Sequence, residues 1–118
     1  MGALELLVKT RELLSRPHRW TRGAYARRQY GETCGPLHPD AYSFCSVGAL
    51  RYVNGGESGG YTPALRWLDA AGSDNVVNTL TTSLSVWNDA LGRTHDEVVA
   101  RFDRAIELAK ESRCTPIR

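Results

Sequence analysis

Residues 40–53 read DAYSFCSVGALRYV, and this stretch decides the fold. Apolar and small side chains recur along it at steps of three and four residues, which is the spacing of one helix face, and Asp40 can cap the helix N-terminus. Val47 and Leu50 widen that face, which predicts a central and buried helix. The residues on the face are Ala41, Phe44, Cys45, Gly48, Ala49, Tyr52 and Val53.

The same face carries small side chains at Cys45, Gly48 and Ala49. A glycine inside a helix costs about 1 kcal/mol relative to alanine, so its presence needs a structural reason. We expect another stretch of backbone to pack closely against this face.

Four further helices are predicted by the same periodicity and by the residues that start and stop helices. They are expected at residues 3–15, 62–72, 75–91 and 94–113. In the second of these Thr62 is the expected cap, followed by Pro63, and the last begins with a capping box formed by Thr94 and Glu97. The Thr, Val and Ser content of residues 75–91 also suits a strand, and a helix is the preferred interpretation.

Residues 16–39 lose the helical period, and their aromatic and threonine residues favour extended backbone. A β-hairpin is predicted, with arms at Trp20–Arg28 and in a return stretch that ends before Cys34. The length of 118 residues is usual for one domain. The predicted fold is mainly α, an α+β fold with a minor β-hairpin, in a single compact domain (1–118) of about five helices around the central small-residue helix.

Composition places the chain among ordinary globular proteins. Hydrophobic residues make up 42% and charged residues 24%, close to globular averages.

No apolar run approaches the roughly 20 residues that span a bilayer, and the N-terminus lacks the cleavage site of a signal peptide. Three cysteines without CxxC spacing favour free thiols over disulfides. We therefore expect a cytoplasmic protein, either a monomer or a small homo-oligomer.

Cys45 is the first candidate for catalysis, because the helix dipole favours the thiolate of a cysteine near a helix start. His38 or His95 could act as its base, with Asn88 or Asp89 to orient that base. The alternative is a packed thiol, since Cys45 lies on the apolar face of the predicted helix.

A metal site would have to be assembled from Cys34, His38 and Cys45, with His18 as a fourth ligand. Their spacing matches no zinc-binding pattern. Surface histidines and free thiols explain these residues better, so we expect neither a metal nor another cofactor.

The N-terminal part of the chain carries an uneven charge, since residues 1–30 hold seven lysines or arginines against two glutamates. Between Arg16 and Arg28, five arginines alternate with aromatic residues such as Trp20 and Tyr25, a mixture suited to phosphate contacts and base stacking. The net charge of +2 is low for a nucleic-acid binder. The same residues also suit a solvated hairpin, so nucleic-acid binding is an alternative.

Residues 87–93 form a polar connection between two predicted helices, and such loops often carry binding residues. Its candidate binding residues are Trp87, Asn88, Asp89 and Arg93. The competing interpretation is a structural junction, in which Asn88 and Asp89 satisfy backbone groups at a helix end. The capping box at Thr94 already explains part of the motif, which favours the junction.

Three blocks of sequence carry a family resemblance. The blocks are WTRGAYAR at 20–27, FCSVGAL at 44–50, and WND at 87–89 continuing through Arg93-Thr94 to FDRAI at 102–106. Together they resemble an uncharacterised family of small bacterial and bacteriophage or prophage proteins, and their order and spacing agree over nearly the whole chain. The resemblance implies a helical bacterial or phage protein, and the family lends no activity to transfer.

The chain shows no complete catalytic signature, so we expect a small binding or regulatory module that contacts another macromolecule, with a protein as the first choice of partner. Arginine and aromatic residues are enriched at interface hot spots, which selects two surface patches. The patches consist of Arg19, Trp20, Arg22, Tyr25, Arg27 and Arg28, and of Trp87, Asn88, Asp89 and Arg93. The alternatives are a thiol-dependent hydrolase or transferase using Cys45, and nucleic-acid binding through Arg16–Arg28.

Overall fold

The computed structural model describes residues 1–57, 59–72 and 80–114, and five α-helices lie within these ranges. Their bounds are Ala3–Leu14 (α1), Ser46–Asn54 (α2), Tyr61–Gly72 (α3), Leu80–Asp89 (α4) and His95–Cys114 (α5). Among the same residues, a small antiparallel sheet lies between α1 and α2 along the chain. The fold is therefore mainly α with a minor β component, as the sequence predicts. None of the described helices combines the length and apolar character needed to span a lipid bilayer.

Helices α1 and α5 follow the predicted periodicity and pack against each other and against α3. α5 begins with the predicted capping box, in which the Thr94 N–H donates to Glu97 Oε1 at 2.9 Å and the Glu97 N–H donates to Thr94 Oγ1 at 3.2 Å. These bonds give partners to two amides near the helix start, where intrahelical acceptors are absent. Val98 and Phe102, which follow the box, are buried.

Helix α3 begins slightly earlier than predicted. The Ala64 N–H donates to the Gly60 carbonyl at 3.0 Å, so the helix starts at Tyr61 and Thr62 lies in its first turn instead of acting as the cap. Gly60, and not Thr62, therefore precedes the first helical residue. Glycine tolerates any backbone conformation. At the other end the described part of the helix extends to Gly72, the residue at which the sequence predicts its end.

Helix α4 settles the choice between helix and strand over Leu80–Asp89, where the chain is helical. Residues 75–79 of the predicted helix lie outside the described residues. The helix ends at Asp89, two residues before the predicted end at Leu91. Gly92 follows with a φ of +84°, a left-handed conformation that glycine adopts without steric cost.

The predicted hairpin is present, with arms shorter than expected. Strands Ala26–Arg27 (β1) and Thr33–Cys34 (β2) pair in antiparallel fashion, and Ser43–Phe44 (β3) pairs with the other edge of β1. Ala26 therefore lies between Cys34 and Phe44 in the order β2-β1-β3. The return arm includes Cys34, whereas the sequence predicts that it ends before that residue.

The start of the central helix is where the sequence prediction is wrong. Residues 41–45 were assigned to the helix, but Tyr42 N–H donates to the Arg27 carbonyl at 2.8 Å and Cys45 N–H to the Tyr25 carbonyl at 3.2 Å. These sheet-type hydrogen bonds use the backbone groups that a helix would need. Asp40 consequently caps nothing in α2, and Cys45 occupies the N-cap position before Ser46.

The small side chains of α2 serve the purpose that the sequence predicts. A Cβ atom at Gly48 would lie 1.8 Å from the carbonyl oxygen of Tyr25, so only a glycine admits the backbone that leads into β1. Helix α2 also packs against α1, α3 and α4. One buried hydrophobic cluster draws on all five helices and on β1 and β3, which places α2 in the interior of the fold.

Candidate functional site

Asn88 of α4 is fully buried and connects three segments of the chain. Its Oδ1 accepts hydrogen bonds from Trp20 Nε1 (2.9 Å), Ser46 N–H (3.0 Å) and Ser46 Oγ (2.7 Å). Its Nδ2 donates to the Thr21 carbonyl (3.1 Å) and to Asp89 Oδ1 (3.0 Å). Because Ser46 is the first residue of α2, Asn88 supplies an acceptor to a helix N-terminus that lacks intrahelical ones.

The neighbouring residues extend this connection. The Gly23 N–H donates to Asp89 Oδ1 at 3.0 Å, and Arg22 Nη1 donates to the Ala90 carbonyl at 3.0 Å. The three sequence blocks at 20–27, 44–50 and 87–93 therefore meet at one place. Their mutual hydrogen bonds are those of a structural junction, the interpretation that the sequence favours for residues 87–93.

Two more arginines of the predicted patches also form contacts within the protein. Arg27 donates to Thr21 Oγ1 and to the carbonyls of Gly31 and Arg22, each at 3.0 Å. Arg28 forms an ion pair with Glu32 at 3.1 Å. Arg27 therefore uses all three of its guanidinium nitrogens within the protein, and the ion pair of Arg28 is exposed.

Two further arginines of these patches stack on aromatic rings. The Arg19 guanidinium lies 4.8 Å from the centre of the Tyr42 ring. The Arg93 guanidinium lies 4.0 Å from the Trp87 ring centre, and Arg93 Nε also donates to the Trp87 carbonyl at 2.8 Å. Such cation–π contacts stabilise the folded chain, so the patch around Trp87 is built largely from internal contacts.

Cys45 is buried, with 3% of its surface exposed. Its Sγ accepts a hydrogen bond from the Gly48 N–H at 3.3 Å, which is the bond of an N-cap residue. Burial raises the pKa of the Cys45 thiol above its ordinary value, and the carboxylate of Asp89 adds to the increase. A raised pKa disfavours the thiolate that nucleophilic chemistry requires, so these features favour a packed thiol.

The two candidate bases have hydrogen-bond partners other than this thiol. His95 Nε2 contacts the Leu14 carbonyl oxygen, and its ring centre lies 6.3 Å from that of Trp20. His38 Nδ1 accepts a hydrogen bond from the Asp40 N–H at 3.0 Å. Within the described residues neither histidine is hydrogen-bonded to Cys45, and no group of three or more His, Cys, Asp or Glu side chains is arranged to hold a metal ion.

An open groove lies on the other side of α2, between its C-terminal half, the start of α3 and the loop that precedes β3. Its volume is about 600 Å³. We call it the Arg51 groove. It is lined by Gly35, Pro36, Leu37, His38, Arg51, Asn54, Gly56 and Tyr61.

The Arg51 groove combines apolar walls with polar groups. Leu37, one of its lining residues, keeps 60% of its surface exposed. Arg51 Nε donates to the Tyr61 hydroxyl at 3.1 Å. A concave site with mainly apolar walls and a few convergent polar groups is typical of binding sites.

Of the groove residues, only His38 is a candidate from the sequence, and it is a candidate for a different role. Arg51 is the only charged residue between Asp40 and Glu57, but an exposed arginine on a helix is ordinary and does not by itself indicate a site. Leu37 and Tyr61 carry no signal either, since their place beside Arg51 depends on how the chain folds back.

Comparison with known proteins places the chain in a family and gives no activity. No curated protein and no solved structure matches the chain. The sequence profile of one family, described as "Family of unknown function (DUF6197)", matches residues 2–108, which is most of the chain. This protein therefore belongs to the family of unknown function DUF6197.

Proposed function

We propose that this protein is a small binding module of bacterial or phage origin that acts in the cytoplasm by contacting another protein, and that the contact is made in the Arg51 groove. The observation that carries the proposal is the groove itself, about 600 Å³ in volume and walled by an exposed leucine. The bacterial or phage origin and the compartment rest on the sequence resemblance and on composition alone.

The internal engagement of the other candidate residues supports this choice of surface. Arg22, Arg27 and Arg93 all donate hydrogen bonds to backbone carbonyls of the chain itself. By contrast, Leu37 offers an exposed apolar contact, and Arg51 and Tyr61 are of the residue types enriched at interface hot spots. The groove is thus better suited to an external partner than either patch selected from the sequence.

A peptide-display selection tests the proposal. Random peptides would be selected on the wild-type protein and then measured on the variants Leu37→Ser and Leu91→Ser. Leu91 is a matched control, since it is 98% exposed and is not among the groove residues. Serine leaves the charge unchanged, so the comparison reports the apolar contact in the groove alone.

We expect the selected peptides to bind Leu37→Ser about tenfold more weakly, which corresponds to about 1.4 kcal/mol, and to bind Leu91→Ser as they bind the wild type. Thermal melting of both variants by circular dichroism verifies that they fold. A selection that enriches no peptide, or peptides that bind both variants equally well, would contradict the proposal.

A further inference from the structure

We infer that the Arg51 groove recognises a carboxylate carried next to an apolar side chain, as in an acidic and apolar segment of a partner protein. The carboxylate binds the two terminal nitrogens of Arg51, and the apolar side chain contacts Leu37. This inference rests on the proposed function and names the chemistry of its partner.

The side chain of Arg51 is held in place before any ligand binds. Its Nε donates to the Tyr61 hydroxyl at 3.1 Å. Its guanidinium carbon lies 5.1 Å from the ring centre of Tyr25 and 5.9 Å from that of Tyr61. An arginine already ordered by such contacts loses less conformational entropy when it binds an anion.

The two terminal nitrogens of Arg51 remain available to a ligand. Within the described residues the Arg51 guanidinium makes no ion pair, and its one hydrogen bond is the bond from Nε to Tyr61. Several other arginines are paired with carboxylates at 2.8 to 3.4 Å: Arg11 with Asp103, Arg28 with Glu32, Arg93 with Glu97, and Arg104 with Glu107. Parallel hydrogen bonds from a guanidinium to a carboxylate are strong and directional, and at Arg51 the acceptor would come from outside.

The charge of the groove also favours an anionic ligand. None of its lining residues is an aspartate or a glutamate. The hydrogen bond that Arg51 donates to the Tyr61 hydroxyl raises the pKa of Arg51 above its ordinary value, so the guanidinium keeps its positive charge. An acidic ligand therefore meets attraction without a compensating repulsion from the groove walls.

His38 adds a hydrogen-bond donor to the groove lining. Its Nδ1 already accepts from the Asp40 N–H, which leaves Nε2 as the donor of that ring. A donor beside the arginine suits a peptide, which brings carbonyl acceptors as well as a carboxylate.

A carboxylate fits this site better than a phosphate group does. Phosphorylated segments are commonly bound by clusters of arginines, whereas the groove lining contains one arginine. The same lining includes the apolar residues Pro36 and Leu37. One guanidinium next to an apolar surface matches one carboxylate next to an apolar side chain.

The test uses small probes with defined chemistry and nuclear magnetic resonance of ¹⁵N-labelled full-length protein. The probes are 3-phenylpropionate, its neutral amide 3-phenylpropionamide, and inorganic phosphate. We expect 3-phenylpropionate to shift the amide signals of the groove residues and to bind about tenfold more tightly than the amide, the difference typical of a charge-assisted hydrogen-bonded pair.

The variants Arg51→Gln and Arg51→Lys separate charge from geometry. Arg51→Gln should bind 3-phenylpropionate and its amide equally. Arg51→Lys should keep part of the preference for 3-phenylpropionate, because lysine retains the charge without the two-pronged geometry. Arg66→Gln is the matched control, since Arg66 is exposed and does not line the groove. It should preserve the full preference for the carboxylate.

Three results would overturn the inference: equal binding of the acid and the amide by the wild type, stronger binding of inorganic phosphate than of 3-phenylpropionate, or no change in the groove signals with any probe. Failure of the inference can be distinguished from failure of the proposed function. The variants Leu37→Ser and Leu91→Ser both keep Arg51. Peptides whose binding is weakened by Leu37→Ser but unchanged by Arg51→Gln would support the proposed function and contradict recognition of a carboxylate.

Discussion

Gly48 determines, at the scale of a single residue, how closely the hairpin approaches α2. In Gly48→Ala the new Cβ would lie 1.8 Å from the Tyr25 carbonyl oxygen, so the backbone would have to move. Alanine gains about 1 kcal/mol in helix propensity, but overpacking costs about 1 to 3 kcal/mol or more. A contact of 1.8 Å with backbone places the cost at the upper end of that range, so we expect a net loss of about 2 kcal/mol in the free energy of unfolding, measured by urea denaturation.

Gly35→Ala is the matched control for that measurement. A Cβ there meets no atom within 4 Å, so the free energy of unfolding should change by no more than about 0.5 kcal/mol. Equal stability of Gly48→Ala and the wild type would contradict the close approach of the two backbones.

Asn88 is the residue on which the junction of the three sequence blocks depends. Asn88→Leu would leave the Trp20 Nε1–H, both Ser46 donors and the Thr21 carbonyl without their partner. Each buried polar group left unsatisfied costs about 1 to 3 kcal/mol, so we expect a loss of about 3 kcal/mol or more. Trp20→Phe removes one of these bonds and should cost about 1 kcal/mol. Similar losses for the two variants, measured by urea denaturation, would show that Asn88 is not the centre of the junction.

The capping box gives α5 a pH dependence at the scale of an element. The hydrogen bond from the Thr94 N–H, with help from Arg93, lowers the pKa of Glu97 below its ordinary value. A lowered pKa means that the carboxylate stabilises the folded state above the usual glutamate pKa of about 4.3, and that this contribution is lost as the pH falls through the lowered value. Glu97→Gln keeps an acceptor oxygen but removes the charge.

We therefore expect the stability difference between the wild type and Glu97→Gln to be constant near neutral pH and to shrink as the solution is acidified below about pH 4.3. Urea denaturation at a series of pH values measures this difference. A difference that does not change with pH would mean that the charge of Glu97 makes no contribution to the helix start.

The start of α2 shows what sequence periodicity can and cannot predict about an element. Ala49 and Leu50 are buried in α2, as the helical periodicity predicts, whereas Tyr52 of the same predicted face keeps 42% of its surface exposed. Phe44 also matched the helical spacing, but it is buried in β3. In so short a segment, one buried residue is consistent with both the helical and the strand period. The hydrogen bonds that make this segment a strand come from residues 25–27, which are distant in sequence.

At the scale of the whole molecule, the fold was more predictable than the site. Helix periodicity and the Thr94 capping box are local signals, and both could be read directly. The junction at Asn88 and the groove at Arg51 each bring together residues from separate segments, such as Trp20 with Asn88 and Leu37 with Tyr61. No local pattern encodes those distances, and the sequence therefore does not show that Arg22, Arg27 and Arg93 donate hydrogen bonds within the protein.

The reactivity of Cys45 reports the opening of the whole molecule. Its burial and raised pKa predict that iodoacetamide modifies it only when the protein unfolds, whereas Cys34 is partly exposed and reacts in the native state. When opening and closing are fast, the labelling rate follows the population of the open form. Each urea increment that lowers the free energy of unfolding by about 1.4 kcal/mol should then raise the Cys45 rate about tenfold and leave the Cys34 rate almost unchanged. Peptide mass mapping separates the sites, and labelling of Cys45 in native buffer as fast as Cys34 would instead favour a reactive thiol at the start of α2.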